Sequence, residues 1–395
     1  MKQHSLLSKG MVAIMLAQFF SAFADNAIFY AILALIHNLH YPEWSKSALQ
    51  ISFVVPFVIF SPFVGQFADT ISKGKAMMIA NSIKLLGVGC ICLNINPFVG
   101  YFLVGVGAAA YSPAKYGILG ELTSGDNLIK ANGLIEASTI TAILLGSLAG
   151  GHIADLSVSA SLLTCVFMFG LAVIANFFIP KLPAARPNIS WQFMSMVKDF
   201  ANTVNIIFNN KHLLYTLLGT SLFWGAGITL RFLLISWVPA ILNINDNATP
   251  ANLTAVVAIG IVIGAGLASK FISINNTSRC IPAGIMMGIA VIVFTLQSSI
   301  ILSYILLIII GALGGFFLVP LNAFIQKIGK NLMGAGSVIS VQNLSEYTAM
   351  MVMLGFYSFA DALNLSIITI GVSFGSLLAI VMFLLWLGLR KNATN

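Results

Sequence analysis

Apolar runs of about 18 residues or more recur along the whole 395-residue chain, and they constrain its folding more than any other feature. About 20 apolar residues in a helix cross a ~30 Å hydrocarbon core, where each backbone N–H and C=O needs an internal partner. Runs of this kind lie near 10–36, 48–68, 76–94, 97–119, 131–153, 158–180, 213–241, 252–270, 280–297, 300–325, 333–360 and 364–388, which predicts twelve transmembrane helices. The composition fits: 59% of residues are hydrophobic and 8% charged, about a third of the ~25% charge of a soluble domain. The expected class is therefore an all-α integral membrane protein. Cys90, Cys92, Cys165 and Cys280 all lie in or at the edge of apolar runs. With no C-x-x-C among them, a disulfide framework and a zinc site are both unsupported, and the thiols read as packing.

The long polar segment 181–212, opened by PKLPAARP, divides the chain into 1–180 and 213–395, each with six expected spans. Its stretch SWQFMSMVKDFANTVNIIF places Trp191, Met194, Val197, Ala201, Val204 and Phe208 at helical spacing, which suits an amphipathic helix on the membrane surface. If both termini are cytoplasmic, fifteen of the nineteen Lys and Arg residues fall on the inside and only Lys46 falls outside. The +8 net charge then reports orientation and contact with anionic inner-leaflet lipid, not nucleic acid.

Three pairs of features repeat between the halves: Gly65 with Gly266, Pro113 with Pro320, and Asp25 with Arg231. They stand 201, 207 and 206 residues apart. Related halves of six helices, with a site at their interface near the midplane, are an established transporter plan. The first run also imitates a signal peptide, with Lys2 and Lys9 ahead of an apolar core and Ala22-Phe23-Ala24 before Asp25. Apolar character continues from Ala27 to Ile36, however, which makes a retained full-length span the expectation.

Six ionisable residues lie inside expected spans: Asp25, Lys84, Lys115, Glu136, Arg231 and Glu346. Each costs at least ~2.5–3.5 kcal/mol on insertion scales, so each is a candidate for function. Asp25 stands beside Asn26 in mid-span and suits ligand contact or gating. Arg231 keeps its charge and offers a planar fork for phosphate or carboxylate, with an ion pair to Asp25 or Glu346 as the structural alternative. Lys115 follows Pro113, with Gly105, Gly107 and Gly117 nearby, and snorkelling to the cytoplasmic surface is its alternative. Asn343 and Glu346 share one helical face in QNLSEY, which suits a water-filled cavity. Lys84 and Glu136 read as structural, reaching an interface or pairing with a neighbour.

A different pattern follows the second span, in Gly65-Gln-Phe-Ala-Asp69-Thr-Ile-Ser72-Lys73-Gly-Lys75. Asp69 suits hydrogen bonds from a helix N-terminus, and the lysines suit helix C-termini or an acid such as Glu121, together a cytoplasmic latch. Here the chain resembles the major facilitator superfamily, whose signature is G-x-x-x-D-R-x-G-R-[RK]. Gly65, Asp69 and Lys73 match, while Thr70 and Ser72 depart from it. GSLAGG at 146–151 adds small residues suited to close helix packing.

A narrower resemblance covers almost the whole chain. SAFADNA, FVGQFAD, GAAAYSPAKYGILGEL, KANGLIEAST, GTSLFWGAG-TLRFLL, PAGI and VQNLSE are similar to the bacterial lysophospholipid transporters of that superfamily. The resemblance implies twelve helices in two pseudo-symmetric bundles and a multi-pass protein of the bacterial inner membrane. It also implies a flippase moving lysophosphatidylethanolamine and lysophosphatidylglycerol to the inner leaflet. The implied partner is the cytoplasmic acyltransferase/acyl-carrier-protein synthetase that re-acylates them. The family's headgroup site maps onto Asp25, Lys115, Arg231 and Glu346; Asn26 and Asn343 join them as neighbours. A monomer without cofactor or metal is expected. Arg231 and Lys115 suit a headgroup phosphate, and Asp25 or Glu346 an ammonium, with the acyl chain left in lipid through a lateral opening.

Two other readings compete. A proton-coupled drug or small-solute carrier of the same superfamily would cycle protons on Asp25 or Glu346. A scaffold that docks a lipid acyltransferase would use the cytoplasmic loops. An enzyme is disfavoured, because none of His4, His37, His40, His152 and His212 begins an H-x-x-x-x-D motif, and H-E-x-x-H is also absent.

Overall fold

Helices form where the apolar runs predict them. The structure, a computed structural model, describes residues 8–41, 44–123, 125–186, 193–244, 248–332 and 335–393. The first half holds α1 (Lys9–Asn38), α2 (Trp44–Ile59), α3 (Ser61–Thr70), α4 (Lys73–Cys92), α5 (Pro97–Leu122), α6 (Asp126–Leu156) and α7 (Val158–Phe177). The polar segment contributes α8 (Phe193–Asn209). The second half holds α9 (Lys211–Trp237), α10 (Ala248–Phe271), α11 (Ile281–Leu296), α12 (Ile300–Leu332), α13 (Ala335–Ala362) and α14 (Ile367–Ala393). No strand occurs among the described residues.

Each expected run coincides with a helix, except that 48–68 is broken. α2 and α3 bend by 65° around Phe60. Pro62 explains the break: it has no N–H for the Val58 carbonyl, which accepts a bond from Ser61 Oγ at 2.9 Å instead. By length and apolarity, nine helices among the described residues qualify to cross a membrane, or ten if the bent pair is one span. α5 and α13 are not among them. α5 carries Lys115 and Glu121, and α13 carries Asn343 and Glu346 in the polar run QNLSE, so both hold candidate site residues. The outward surface is apolar, with Leu163, Phe167, Leu377 and Ile380 all exposed. Aliphatic exposure on this scale requires lipid.

α8 packs Met196, Thr203 and Ile207 inward and leaves Met194, Ala201 and Phe208 exposed, so its expected apolar stripe points outward. Trp191 lies outside the described residues. The chain forms two compact units. Unit one gathers Met1–Ser124, Ser138–Val204 and Gln326–Leu344; unit two gathers Gly125–Ala137, Asn205–Ile325 and Ser345–Asn395. In unit one, GSLAGG behaves as its composition suggests. A Cβ at Gly150 would come within 2.6 Å of the Ala27 Cα, and one at Gly146 would strike the Phe23 carbonyl. α6 therefore lies tight against the SAFADNA turns of α1.

Candidate functional site

The SAFADNA segment is a continuous part of α1, and its neighbours Ala24, Ala27 and Ile28 are buried. Asp25 meets Lys84 of α4 there: Lys84 Nζ donates to Asp25 Oδ2 at 2.6 Å. The lysine is 1% exposed and the aspartate side chain 19%. Lys84 Nζ also donates to Ser21 Oγ at 2.9 Å, and Ser21 Oγ donates to Asn81 Oδ1 at 2.8 Å. The ammonium lies 5.0 Å from the Tyr111 ring centroid and 5.7 Å from that of Phe169. Gly107 makes room for this lysine, since a Cβ there would lie 2.5 Å from Lys84 Cγ. Neither charge alone is tolerable at this depth, and their pairing removes the net charge.

The network is incomplete. Asp25 Oδ1, Asn81 Nδ2 and Tyr111 Oη are buried and lack a hydrogen-bond partner. Tyr111 Oη lies close to the Asn81 amide and within electrostatic reach of Asp25, without a hydrogen bond of good geometry. Asn26 turns back on its own helix, Nδ2 donating to the Ala22 carbonyl at 2.8 Å. Lys115 is buried on α5 with its Nζ 4.0 Å from the Tyr116 centroid, within electrostatic reach of Asp25. α5 runs on through Pro113. Next to that proline, Ser112 Oγ donates to Asn343 Oδ1 at 3.2 Å, while Asn343 Nδ2 is buried without a partner.

At the Asp69 turn every acceptor position is filled. Asp69 is fully buried; its Oδ1 accepts from Lys73 Nζ at 2.8 Å and from the Gly336 N–H at 3.0 Å. Its Oδ2 accepts from the Ser337 N–H at 3.0 Å and from Ser337 Oγ at 3.1 Å. The carboxylate thus bonds the first turn of α13, where exposed N–H groups and the helix dipole favour an anion. Lys73 Nζ also donates to the Ala68 carbonyl at 3.1 Å and pairs with Glu121 Oε1 at 3.3 Å. Gly65 and Gly336 meet face to face, and a Cβ on either would come within 2.8 Å of the other's carbonyl oxygen. The Arg186 N–H donates to the Asp69 carbonyl at 2.8 Å.

In unit two, Glu346 is buried and Arg231 is exposed on α9. Beside Glu346, Ser221 Oγ donates to Ser345 Oγ at 2.8 Å. Glu136 is buried and accepts a long bond from Asn322 Nδ2 at 3.4 Å.

Sequence reading singled out Asp25 and Lys84 separately but not their pairing, and it passed over Ser21, Asn81 and Tyr111. A signal existed. Ser21 precedes Asp25 by four residues, Asn81 precedes Lys84 by three and Tyr111 precedes Lys115 by four, so each lies on the face of a buried charge. Among the described residues no cluster of His, Cys, Asp and Glu is arranged to hold a metal ion.

Known proteins resemble this chain at two levels. The family model for the Major Facilitator Superfamily matches residues 14–352. The Lysophospholipid transporter LplT of Klebsiella pneumoniae subsp. pneumoniae is 56% identical over 388 residues, 98% of each chain. A protein of the same name from Escherichia coli is also 56% identical over 98% of each chain. Among solved structures, the human organic anion transporter MFSD10 (TETRAN) superposes with a TM-score of 0.78 at 13% identity, covering 95% of this chain and 99% of its own. The Escherichia coli fucose:proton symporter FucP gives 0.75 at 13% identity, with coverage of 95% and 97%. Identity this low speaks for the fold alone.

Proposed function

The chain belongs to the Major Facilitator Superfamily, and we propose that within it the chain is a lysophospholipid transporter that moves its substrate from the outer to the inner leaflet. The observation that carries this reading is the 56% identity, over 98% of both chains, to proteins named as lysophospholipid transporters. The site chemistry supports it. A lysophosphatidylethanolamine headgroup presents a phosphate anion and an ammonium cation, and the buried polar residues present both complements.

Arg231 and Lys115 take the phosphate in this proposal. Asp25 and Glu346 take the ammonium, and Asn26 and Asn343 contribute amide hydrogen bonds. The acyl chain needs no polar partner and stays in lipid. The Asp69 turn, with Gly65, Lys73, Glu121 and the Pro113 region of α5, serves as the gate that opens and closes the cytoplasmic end during alternating access. The bacterial inner membrane is the setting, with both termini cytoplasmic. The chain works as a monomer and hands its product to a cytoplasmic acyltransferase.

The test is uptake of lysophosphatidylethanolamine by purified protein in proteoliposomes, read as lipid protected from extraction by external albumin. Wild-type protein moves the lipid, and Asp25→Asn and Arg231→Ala each abolish the movement. Wild-type rates in both variants would remove the proposed site, and an inactive wild type would remove the transport reading itself.

A further inference from the structure

We propose that the segment joining α7 to α8 is a strap that braces the Asp69 turn in its α13-bonded arrangement and lifts off when the cytoplasmic end opens. The inference rests on the reading of that turn as a gate and adds what regulates it.

A linker between two six-helix halves needs only length, and a connecting segment ordinarily runs over the surface with few attachments. Here it is fixed to unit one at three places. Just beyond α7, Ile179 and Pro180 fill a notch made by two glycines. A Cβ at Gly10 of α1 would strike the Pro180 ring, and one at Gly74 of α4 would lie 2.9 Å from Ile179 Cγ2. Next, the Arg186 N–H donates to the Asp69 carbonyl at 2.8 Å. Further on, Asp199 Oδ2 of α8 accepts from Gln66 Nε2 at 3.4 Å. Gln66 and Asp69 end α3 and Gly74 begins α4, so all three attachments converge on one turn.

The Arg186 bond is the most informative of the three. A helix leaves its last carbonyls without partners inside the helix, and α3 ends at Thr70. The Phe67 carbonyl accepts from Thr70 Oγ1 at 3.3 Å and the Ala68 carbonyl from Lys73 Nζ at 3.1 Å, both local donors. The Asp69 carbonyl takes its bond from the linker, far along the chain. Asp69 is thus gripped at both ends: α13 holds its carboxylate, and the strap holds its carbonyl. Fixing the main chain of this residue keeps its carboxylate on the Gly336 and Ser337 amides.

The strap is held less firmly than the fastening it braces. Gln66 is 6% exposed, its bond to Asp199 is long, and its Oε1 is buried without a partner. At the root of the strap, both amide atoms of Asn176 are likewise buried and unbonded. Such atoms raise the free energy of the docked arrangement and favour one in which water reaches them. Through α8 the strap is also the covalent link to α9, which gives movement of the second half a direct route to the Asp69 turn.

The experiment is hydrogen–deuterium exchange of the purified full-length protein, followed in peptides that cover Gly336 and Ser337, whose amides the gate protects. Arg186→Ala keeps the strap's N–H and Arg186→Pro deletes it, so the difference between them isolates the main-chain bond. Exchange in Arg186→Pro should exceed that in Arg186→Ala about three- to ten-fold, as the loss of one hydrogen bond requires. Pro180→Gly empties the notch without touching Asp69 or Lys73, and it should raise exchange several-fold over wild type.

Equal exchange in the two Arg186 variants overturns the proposal. Where Arg186→Pro does not fold, Pro180→Gly decides, and a wild-type rate there overturns the proposal equally. A rise that spreads through α5 and α14 also overturns it, since the strap would then hold the fold and not the gate. Asp69→Ala tests the gate by itself: wild-type exchange at Gly336 and Ser337 in that variant overturns the gate reading on which the strap depends.

Discussion

Two buried aspartates, each paired with a lysine inside unit one, have opposite surroundings. At Asp69 four donors fill both oxygens: Lys73 Nζ, the N–H groups of Gly336 and Ser337, and the Ser337 hydroxyl. At Asp25 one lysine bonds one oxygen, and the other oxygen, with Asn81 Nδ2 and Tyr111 Oη, has no bond. A filled network holds a single arrangement of the backbone, here the docking of α13 on the Asp69 turn. An apolar replacement of the unfilled pair would hold the helices as well, without the unbonded atoms. The difference separates a filled fastening from a partly filled pair, even though both consist of Asp and Lys.

The largest test of that difference removes the filled carboxylate. Asp69→Ala strands the α13 amides and leaves Lys73 with one acid fewer, and breaking one side of a buried pair costs about 3–5 kcal/mol. Thermal unfolding of the purified protein in detergent should show it as a marked fall in Tm. An unchanged Tm would mean that the turn is not a fastening.

Replacing both members of each pair sharpens the contrast. Asp25→Leu with Lys84→Met should be neutral or stabilising by up to about 1–4 kcal/mol, as apolar substitutes for buried pairs often are, and should abolish lysolipid uptake. Asp69→Leu with Lys73→Met should destabilise, because no side chain remains to accept from Gly336 and Ser337. Equal tolerance at the two places, read by the same melting experiment, would break the comparison.

A smaller effect is expected at Gly117, where a Cβ would lie 2.6 Å from Lys73 Cε. That lysine is fully buried and bonded to Asp69, the Ala68 carbonyl and Glu121, so it has little freedom to move. Gly117→Ala should cost about 1–3 kcal/mol by overpacking. Gly120→Ala on the same helix is the control, since its Cβ would meet nothing closer than 3.7 Å. Matching Tm values for the two would show that Lys73 yields.

These contrasts also explain what the sequence could reveal. The Asp69 fastening was legible because its parts are local or conventional: Asp69 and Lys73 are four residues apart, and a carboxylate facing a helix start is a standard use of the helix dipole. Most spans were legible from apolarity; Pro62 broke the second run, and α5 and α13 are less apolar than the rest, α13 through its QNLSE stretch. The Asp25–Lys84 pair was hidden by distance, since 59 residues separate partners whose meeting depends on helix packing. Asn81, Ser21 and Tyr111 carry no charge and form no motif. Only their helical spacing from Asp25, Lys84 and Lys115 ties them to the site.

The smallest expected change in stability is the most discriminating one. Tyr111 is buried with its ring 5.0 Å from the Lys84 ammonium and its hydroxyl unbonded. Tyr111→Phe keeps the ring and the cation–π contact, and it deletes a polar atom that now lies desolvated without return. The melting temperature should therefore stay the same or rise slightly, while lysolipid uptake falls. A hydroxyl that belonged to the scaffold would give the reverse: a lower Tm and unchanged uptake. Because the two outcomes move different measurements in different directions, one conservative variant tells whether the unfilled atoms around Asp25 serve the fold or the ligand.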